Sequence, residues 1–518
     1  MLEQDPNQVK IFDTTLRDGD QTPGVNFGIQ EKEDIARKLA DAGVDIIEAG
    51  FPFAEEGDFE AVRNIAENVA GPIIVGLSRT GPEDIEAAWG AIEPAKDKGG
   101  ARIHTFIATS EIHMRDKLKM TPDEVLDSAI NAVKLARTFT DDVEFSPEDA
   151  SRSDFDFMMK VILAAVENGA TTINIPDTVG YAHPDEYAAR IQKAKSIIEE
   201  RFGKDTVVIS AHCHDDLGMA TANSIAAVNA GARQVEAAVN GLGERAGNTS
   251  LEQFVANIQE KGGGLWTSVD TKKLASLSRF VAIKSGVTVL PNSAIVGANA
   301  FAHESGIHQD GVSNNVKTYE HMQAENYGQE STMKIGKLSG KAGIESRLKD
   351  LGFAVDPKAL YSVRTEAKKQ ASMIGRALTD TEIESIFANH IGEVIEDSLR
   401  ILDIKVSGET VSISLDNDGQ VMTESNSSDK GSIDGGVKAI NKILEFSGDI
   451  LNWHGDSMTQ GSDSTARVEV TIKNNGDTIS ATAEDPSVDG ASILAYINAI
   501  NLHMRIEQRR SSKHAANT

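Results

Sequence analysis

The sequence predicts a (β/α)₈ TIM barrel, followed by a helical subdomain and a C-terminal α+β domain. Short β-rich runs alternate with helical patterns through the first half of the chain at a spacing of about 30 residues, as strand–helix units of a parallel sheet do. Eight such runs are present, and eight parallel strands close a barrel. The predicted strands cover residues 9–12, 44–47, 73–75, 103–107, 143–145, 171–175, 207–209 and 235–239.

A doubly wound open sheet is the alternative for alternating strands and helices. It is disfavoured because no glycine-rich phosphate-binding turn follows the first predicted strand. Helical patterns lie between the strands at residues 35–40, 125–130 and 188–191, and the barrel is expected to close by about residue 265. The predicted boundaries are 1–285 for the barrel, 286–395 for the helical subdomain and 396–518 for the C-terminal domain.

Composition argues against several classes of protein. A chain of 518 residues, 40% apolar and 25% charged, has room for two or three globular domains. Its 79 acidic and 51 basic residues give a net charge of −28, which argues against nucleic acid and anionic membranes as partners. A single cysteine precludes an internal disulfide, and no apolar run resembles a signal peptide or a bilayer span. We therefore expect a cytoplasmic protein.

His212-Cys213-His214 follows the seventh predicted strand and is the most informative motif of the chain. Because side chains alternate across a strand, the two histidines point to one face and Cys213 points to the other. Two imidazoles on one face at the carboxyl end of a buried strand are typical of a divalent-metal site. The alternative is a pair of histidines that serve the core or the surface without a metal.

Polar residues gather at the predicted carboxyl ends of the barrel strands, where barrel enzymes carry their chemistry. Arg17 and Asp18 follow the first strand, and a polar loop at residues 240–248 follows the eighth. His104 and Glu144 lie inside apolar runs, which polar loops alone do not explain. The pattern predicts a polar pocket at this end of the barrel.

Long motifs occupy residues 13–21, 143–146, 148–150, 212–218, 240–248 and 301–311. They resemble the motifs of the 2-isopropylmalate synthase family, whose close relatives are citramalate and homocitrate synthases, and the resemblance covers nearly the whole chain. It implies a Claisen-type condensation of acetyl-CoA with a 2-oxo acid, followed by hydrolysis of the thioester. For 2-oxoisovalerate as the 2-oxo acid, this is the first step of leucine biosynthesis.

The resemblance implies a metal centre in the barrel. Asp18, His212, His214 and, more weakly, Asn248 are expected to hold a divalent ion that polarises the ketone of the 2-oxo acid. Mn²⁺ is the expected ion, with Mg²⁺ and Zn²⁺ as alternatives, because mixed oxygen and imidazole ligands do not choose between them.

It also implies roles for residues around that centre. Arg17 is expected to stabilise charge on the former ketone oxygen or to orient the substrate, and its alternative is an ion pair with a barrel carboxylate. Glu144 is expected to be catalytic, and its alternative is pairing with an arginine. His104 and Thr178 are expected to bind substrate.

Acetyl-CoA needs a base, because its methyl protons are only weakly acidic. By resemblance, His308 and Tyr319 belong to the subdomain over the barrel mouth, and imidazole suits proton relay near neutral pH. His303 and Glu304 are rival bases, so the group that takes the methyl proton stays open. A basic stretch from Lys334 to Lys341 is either a contact for the CoA phosphates or a solvated helix face.

The C-terminal domain contains a short repeat. Ser432-Ile433-Asp434-Gly435 recurs as Ser487-Val488-Asp489-Gly490, each after strand-like segments and before a helical pattern that an aspartate or serine can cap. By resemblance this is the family's allosteric domain, where the end product, leucine, is expected to act as a feedback inhibitor. The alternative is a dimerisation module without a ligand, and we expect a homodimer.

Three alternatives to a 2-isopropylmalate synthase stay open. A citramalate synthase would use pyruvate in place of 2-oxoisovalerate, and the segment at residues 14–24 resembles both kinds of enzyme. Residues 50–52, 104–110 and 174–178 favour isopropylmalate by resemblance. A metal-binding amino-acid sensor without catalysis is disfavoured by the intact site residues, and a lyase of the same barrel type is disfavoured by the C-terminal repeat.

Overall fold

The computed structural model describes residues 5–391, 395–407, 410–428, 431–457 and 465–516. The chain forms two compact units, Met1–Ala300 with Met322–Glu330, and Phe301–His321 with Ser331–Thr518. The predicted boundary after residue 285 falls inside the first unit, and the predicted boundary after residue 395 falls inside the second. The residues before Asp5, which enter the expectation of no signal peptide, lie outside the described part.

Eight parallel strands close into a barrel in the first unit. Each strand pairs with its neighbour in sequence, and β8 pairs with β1, so the doubly wound alternative is wrong and the predicted barrel is confirmed. Every one of the eight predicted strands is present. They are β1 Lys10–Asp13, β2 Ile46–Gly50, β3 Ile73–Arg79, β4 Ala101–Ala108, β5 Val143–Glu148, β6 Thr172–Asp177, β7 Val208–Cys213 and β8 Gln234–Ala237.

Helices alternate with these strands and cover the barrel. Helix α4 starts at a capping box, in which the Thr121 hydroxyl accepts from the Glu124 amide and the Glu124 side chain accepts from the Thr121 amide. Pro122 at its first turn has no amide to leave unsatisfied. The helices are α1 Ile29–Asp41, α2 Glu56–Asn68, α3 Pro82–Ile92, α4 Pro122–Phe139, α5 Phe155–Glu167, α6 Pro184–Phe202, α7 Ala220–Asn229, α8 Leu251–Lys261 and α9 Leu274–Ser285.

Several strands extend further towards their carboxyl ends than the β-rich runs predict. β3 continues to Arg79, and β7 includes His212 and Cys213. The sequence understates these ends because polar residues have low strand propensity, whereas hydrogen bonds to both neighbouring strands hold the chain extended. The polar ends of the strands are therefore ordered parts of the barrel, which suits a site that needs fixed side chains.

The second unit begins with short strands and helices, and two sheet-and-helix halves follow them. Each sheet has three antiparallel strands and is followed by one helix, as the predicted repeat requires. The elements are β9 Ala302–His303, α10 Gly306–Asn314, β10 Thr332–Met333, α11 Lys341–Asp350, α12 Pro357–Ile374, α13 Asp380–Ile391, β11 Leu399–Ser407, β12 Thr410–Asn417, β13 Gln420–Ser427, α14 Ser432–Leu444, β14 Asp449–Ser457, β15 Ala466–Asn474, β16 Asp477–Asp485 and α15 Val488–Ala516.

The two copies of the repeat meet along α14 and α15. Ser432 at the start of α14 hydrogen-bonds Asp489 at the start of α15, so the amino ends of the two helices lie side by side. The predicted serine cap is confirmed for α15, where the Ser487 hydroxyl accepts from the Gly490 amide. It is wrong for α14, because Gly431 with φ 99° precedes that helix and caps it without a side chain.

No helix in the described residues is both long enough and apolar enough to cross a membrane.

Candidate metal centre and active site

Asp18, His212 and His214 converge at the carboxyl end of the barrel. Nε2 of His212 and Nε2 of His214 lie 3.8 and 3.7 Å from the same oxygen, Oδ2 of Asp18. All three residues are buried, at 5% exposure or less. Ligand atoms held by one ion at about 2.0–2.2 Å lie about 3–4 Å apart. The three side chains that the sequence singled out are therefore spaced as ligands of one metal ion.

Alternation along β7 explains the position of the two histidines. Their rings lie 4.9 Å apart on one face, whereas Cys213 is buried on the opposite face, where burial raises the pKa of its thiol. A protonated, buried thiol is a poor metal ligand. The motif thus contributes two ligand candidates, and its cysteine belongs to the packing outside the barrel.

Asn248, the weaker fourth ligand candidate, lies in the loop after β8. It bridges to His214 across an antiparallel backbone contact, and its Oδ1 is buried without a hydrogen-bond partner. Its Nδ2 donates to the Leu242 carbonyl at 3.2 Å, which leaves the oxygen free. The loop folds this tightly because Gly247 has φ +96° and a Cβ there would lie 2.0 Å from the Gly241 carbonyl oxygen. A buried, orphaned amide oxygen on the residue that pairs with His214 fits a metal ligand.

Burial and neighbouring charges together set the pKa values of the three side chains. Burial by itself raises the pKa of Asp18, but the positive charge of Arg17, the two neighbouring imidazoles and the hydrogen bond from the Glu244 amide hold that pKa well below its usual value. Burial, with His212 nearby, lowers the pKa of His214 to about 3, so its imidazole is neutral. Burial also lowers the pKa of His212, but the Glu236 carboxylate outweighs it and raises that pKa.

Arg17 lies beside the metal candidate and is held by two carboxylates. Nε donates to Oε2 of Glu48 at 2.5 Å, and Nη1 donates to Oδ2 of Asp18 at 2.8 Å. The ion pair with a barrel carboxylate, which the sequence offered as the alternative role of Arg17, is thus present. Among the residues that the structure describes, Nη2 of Arg17 has no hydrogen-bond partner. That nitrogen can donate to a substrate oxygen.

His104 lies deeper in the barrel and has both ring nitrogens engaged. Nδ1 contacts Oε1 of Glu48 at 2.7 Å, and Nε2 contacts the Ser146 hydroxyl at 2.7 Å. Asn174 donates to the same hydroxyl at 2.9 Å, and its own Oδ1 is buried without a partner. The predicted substrate-binding histidine therefore lies in a chain of polar contacts that starts at Arg17.

Glu144 is fully buried and is paired with an arginine. Arg102 donates to its Oε2 and Gln234 donates to its Oε1, both at 2.8 Å. Burial raises the pKa of Glu144 despite Arg102. With both oxygens bonded inside the barrel, the geometry favours a role in positioning over direct contact with substrate, and the catalytic role predicted for Glu144 stays a prediction.

Thr178 lies just beyond β6 at the barrel mouth. Its hydroxyl accepts from the Asp149 amide at 2.9 Å, and its carbonyl accepts from Arg245 at 2.8 Å. These bonds fix the threonine at the same end of the barrel as the metal candidate, as a substrate-binding role requires.

The remaining predicted residues lie in the second unit. The rings of His308 and Tyr319 stack with centroids 4.1 Å apart, and both side chains are exposed. The rival base His303 is instead paired with Glu320 at 2.9 Å, and Glu320 also accepts from Ser331. Of the two histidines, His308 is the one whose side chain is exposed.

Sequence reasoning missed several buried polar residues of the barrel interior. Arg102, Ser146, Gln234 and Glu236 all face inwards from strands. Their signal is a polar residue at an alternate position of an otherwise apolar run, the signal that identified His104 and Glu144. Glu236 is paired in register with His212, and its Oε2 lies 2.8 Å from Nδ1 of that histidine.

This fold and site have counterparts among known proteins. A model of the HMGL-like family matches residues 8–281, the barrel that carries the metal candidate. A homocitrate synthase post-HMGL domain-like model matches residues 295–374, and the LeuA allosteric (dimerisation) domain matches residues 377–504. The barrel is thus that of an HMGL-like protein.

Relatives that align over nearly the full length of this chain identify the family within the HMGL-like proteins. The 2-isopropylmalate synthase of Carboxydothermus hydrogenoformans is 45% identical over 502 residues, which cover 95% of this chain and 97% of the relative. The 2-isopropylmalate synthase of Chromobacterium violaceum is 42% identical over 520 residues, 98% of this chain and 100% of the relative. The chain belongs to the 2-isopropylmalate synthase family.

Among solved structures, an HMG-CoA lyase from Brucella melitensis is similar, with 22% identity and a TM-score of 0.46, covering 54% of this chain and 99% of that chain.

Proposed function

We propose that this protein condenses acetyl-CoA with 2-oxoisovalerate and hydrolyses the thioester to release 2-isopropylmalate and CoA. The observation that carries the proposal is the convergence of Asp18, His212 and His214 beside Arg17, in a chain similar over its full length to enzymes of that name. Two further 2-isopropylmalate synthases, 42% and 44% identical to this chain, also favour this reaction over citramalate synthesis.

Asp18, His212, His214 and Asn248 would hold a divalent ion, and Mn²⁺ is the ion we expect. Bound there, the ion supplies a Lewis acid for the ketone of the 2-oxo acid. The donor set supports this, since it combines an ionised carboxylate, two imidazoles whose Nε2 atoms face that carboxylate and an orphaned amide oxygen. Mg²⁺ and Zn²⁺ accept the same ligands.

Arg17 acts on the developing negative charge. When the carbanion of acetyl-CoA attacks the ketone carbon, a C–C bond forms and the ketone oxygen takes the electron pair of its π bond. Nη2 of Arg17 donates to that oxygen or to the neighbouring carboxylate, while Glu48 and Asp18 hold the guanidinium in place. Thr178 and the chain of contacts through His104 shape the pocket for the 2-oxo acid.

His308 removes the methyl proton of acetyl-CoA, with Tyr319 stacked on its ring. This choice over His303 rests on exposure, because the side chain of His308 is exposed whereas that of His303 is only 12% exposed. The alkoxide is then protonated, and water attacks the thioester carbonyl. The C–S bond breaks, CoA leaves as the thiol, and a carboxylate remains.

The C-terminal repeat senses leucine. Two similar sheet–helix halves joined at the starts of their helices support a regulatory module, and the matched family model is an allosteric and dimerisation domain. We expect a cytoplasmic homodimer without nucleic-acid or membrane partners.

A steady-state comparison of 2-oxoisovalerate with pyruvate tests the substrate. Each added methyl group in an apolar pocket changes discrimination by about 1–3 kcal/mol, or roughly 10- to 200-fold. We therefore expect a clearly higher kcat/KM for 2-oxoisovalerate, measured as release of free CoA thiol. A higher value for pyruvate would make the enzyme a citramalate synthase and leave the metal centre unaffected.

A further inference from the structure

Glu236 is a buried carboxylate without a strongly basic partner. It lies on β8, in register with His212 on β7, and is 1% exposed. Among the residues that the structure describes, no lysine or arginine lies within ion-pair distance of it, and neither oxygen accepts a well-aligned hydrogen bond. Its contact is with His212, whose Nδ1 lies 2.8 Å from Glu236 Oε2.

The other buried carboxylates around Arg17 and Arg102 have partners that Glu236 lacks. Glu48 binds Arg17, and Glu144 binds Arg102. Glu144 also lies close to Glu236, since ligand atoms of His104, Glu144 and Glu236 fall within 4.8 Å of one another. A buried carboxylate near a second one is costly unless a positive charge compensates it.

The group of His104, Glu144 and Glu236 is not itself free to take an ion. Both ring nitrogens of His104 and both oxygens of Glu144 are already bonded within the barrel. The compensating charge must therefore reach Glu236 through His212, whose Nε2 faces Asp18 on the other side of the ring.

We propose that Glu236 is a positioning residue for the metal centre: its carboxylate holds Nδ1 of His212, so that Nε2 points at the ion. The inference rests on the proposed function, because it presupposes the metal held by Asp18 and the two histidines. A carboxylate behind a metal-bound imidazole fixes the ring and makes it a more basic ligand. Charge also balances, because Asp18, Glu48 and Glu236 match Arg17 and one divalent ion.

The test uses Glu236→Gln and Glu236→Ala in the full chain. We expect both variants to bind Mn²⁺ about 10- to 100-fold more weakly than the unmodified protein, measured by competition with a chelating dye. The rise in Tm on adding Mn²⁺ should also be smaller. Glu33→Gln is the matched control, because Glu33 is a buried carboxylate on α1 bonded to Arg37 and Asn64, and its loss should leave Mn²⁺ affinity unchanged.

Kinetics separate positioning from a merely structural role. At saturating Mn²⁺, kcat of the variants should return towards the unmodified value and KM for the 2-oxo acid should stay unchanged, because Glu236 does not touch the reacting atoms. A structural carboxylate would lower Tm equally with and without Mn²⁺. Unchanged Mn²⁺ affinity in both variants overturns the inference, whereas an unmodified protein that neither binds Mn²⁺ nor condenses the substrates contradicts the proposed function itself.

Discussion

Arg17 and Glu48 are joined by a hydrogen bond of 2.5 Å from Nε to Oε2, and the same guanidinium donates through Nη1 to Asp18. Glu48 is fully buried and also contacts Nδ1 of His104. Burial raises the pKa of Glu48, but Arg17 and His104 outweigh it and hold that pKa below its usual value. An ionised carboxylate outside the metal group therefore sets the direction of the arginine that faces the substrate.

Glu48→Gln should lower kcat without changing KM for acetyl-CoA. The amide keeps the volume of the side chain but loses the charge that aligns Arg17, and a misplaced catalytic group costs about 100-fold or less. We expect a loss of about 10- to 100-fold, measured by CoA release, and a larger loss for Arg17→Lys, which cannot donate to two carboxylates from one plane. An unchanged kcat in Glu48→Gln would contradict the orienting role.

Asp18→Ala and His212→Ala should abolish condensation while the fold is kept. Each removes one ligand from a group of three, and we expect Mn²⁺ binding to fall below detection by chelator competition. Cys213→Ala is the matched control, because Cys213 lies on the same strand with its side chain on the opposite face. Full activity of metal-replete His212→Ala would show that the histidine is not a ligand.

Leucine inhibition should depend on the junction between the two repeat copies. Ser432→Ala and Asp489→Asn each weaken the hydrogen bond that joins the starts of α14 and α15. We expect both variants to keep basal condensation and to need more leucine for half inhibition, measured in steady-state assays. If the unmodified enzyme is indifferent to millimolar leucine and isoleucine, the regulatory proposal is wrong.

Truncation near residue 395 should remove leucine inhibition and also lower stability. Ile386 and Phe387 on α13 share one hydrophobic core with Leu399 and Ile413 of the C-terminal sheets, so the cut exposes apolar surface that the module covers. We expect a lower Tm and a tendency to aggregate, measured by thermal melts and light scattering. A truncated chain as stable as the full one would contradict this shared core.

Asp13 should make the barrel less stable as the pH rises. Burial raises the pKa of Asp13 to about 7, against 3.8 for an exposed aspartate, although Thr15 donates to the carboxylate. Because the folded state binds the extra proton between these two values, stability falls as pH rises through that window, by up to about 1.4 kcal/mol per pH unit. The Tm of Asp13→Asn should therefore change less between pH 5 and 7 than the Tm of the unmodified protein. Both are measured in the presence of a chelator, so that metal binding does not contribute. If the two Tm values change in parallel with pH, the raised pKa of Asp13 is contradicted.

The barrel could be predicted because each of its strands and helices has a recognisable local sequence pattern. Each strand is a short apolar run, each helix has an apolar face, and the order of the runs leaves little choice of topology. The pair His212 and His214 could be predicted for the same reason, since alternation along one strand is a local property. The cap of α14 could not, because the serine in the repeat is already inside the helix and Gly431 takes the capping position.

The sequence by itself determined the barrel, the two histidines on one face and the duplicated C-terminal module. These features follow from the spacing of apolar residues and the order of the motifs, which are local properties of the sequence. Only the tertiary structure decided the partners: Glu48 for Arg17, Arg102 for Glu144, and Glu236 for His212. These pairs join residues on different strands or on the loop after β1, and their contacts depend on how the closed barrel aligns its strands. A single sequence does not show which residues of neighbouring strands are paired. The charged partners of the residues around Asp18, His212 and His214 could therefore be identified only from the tertiary structure.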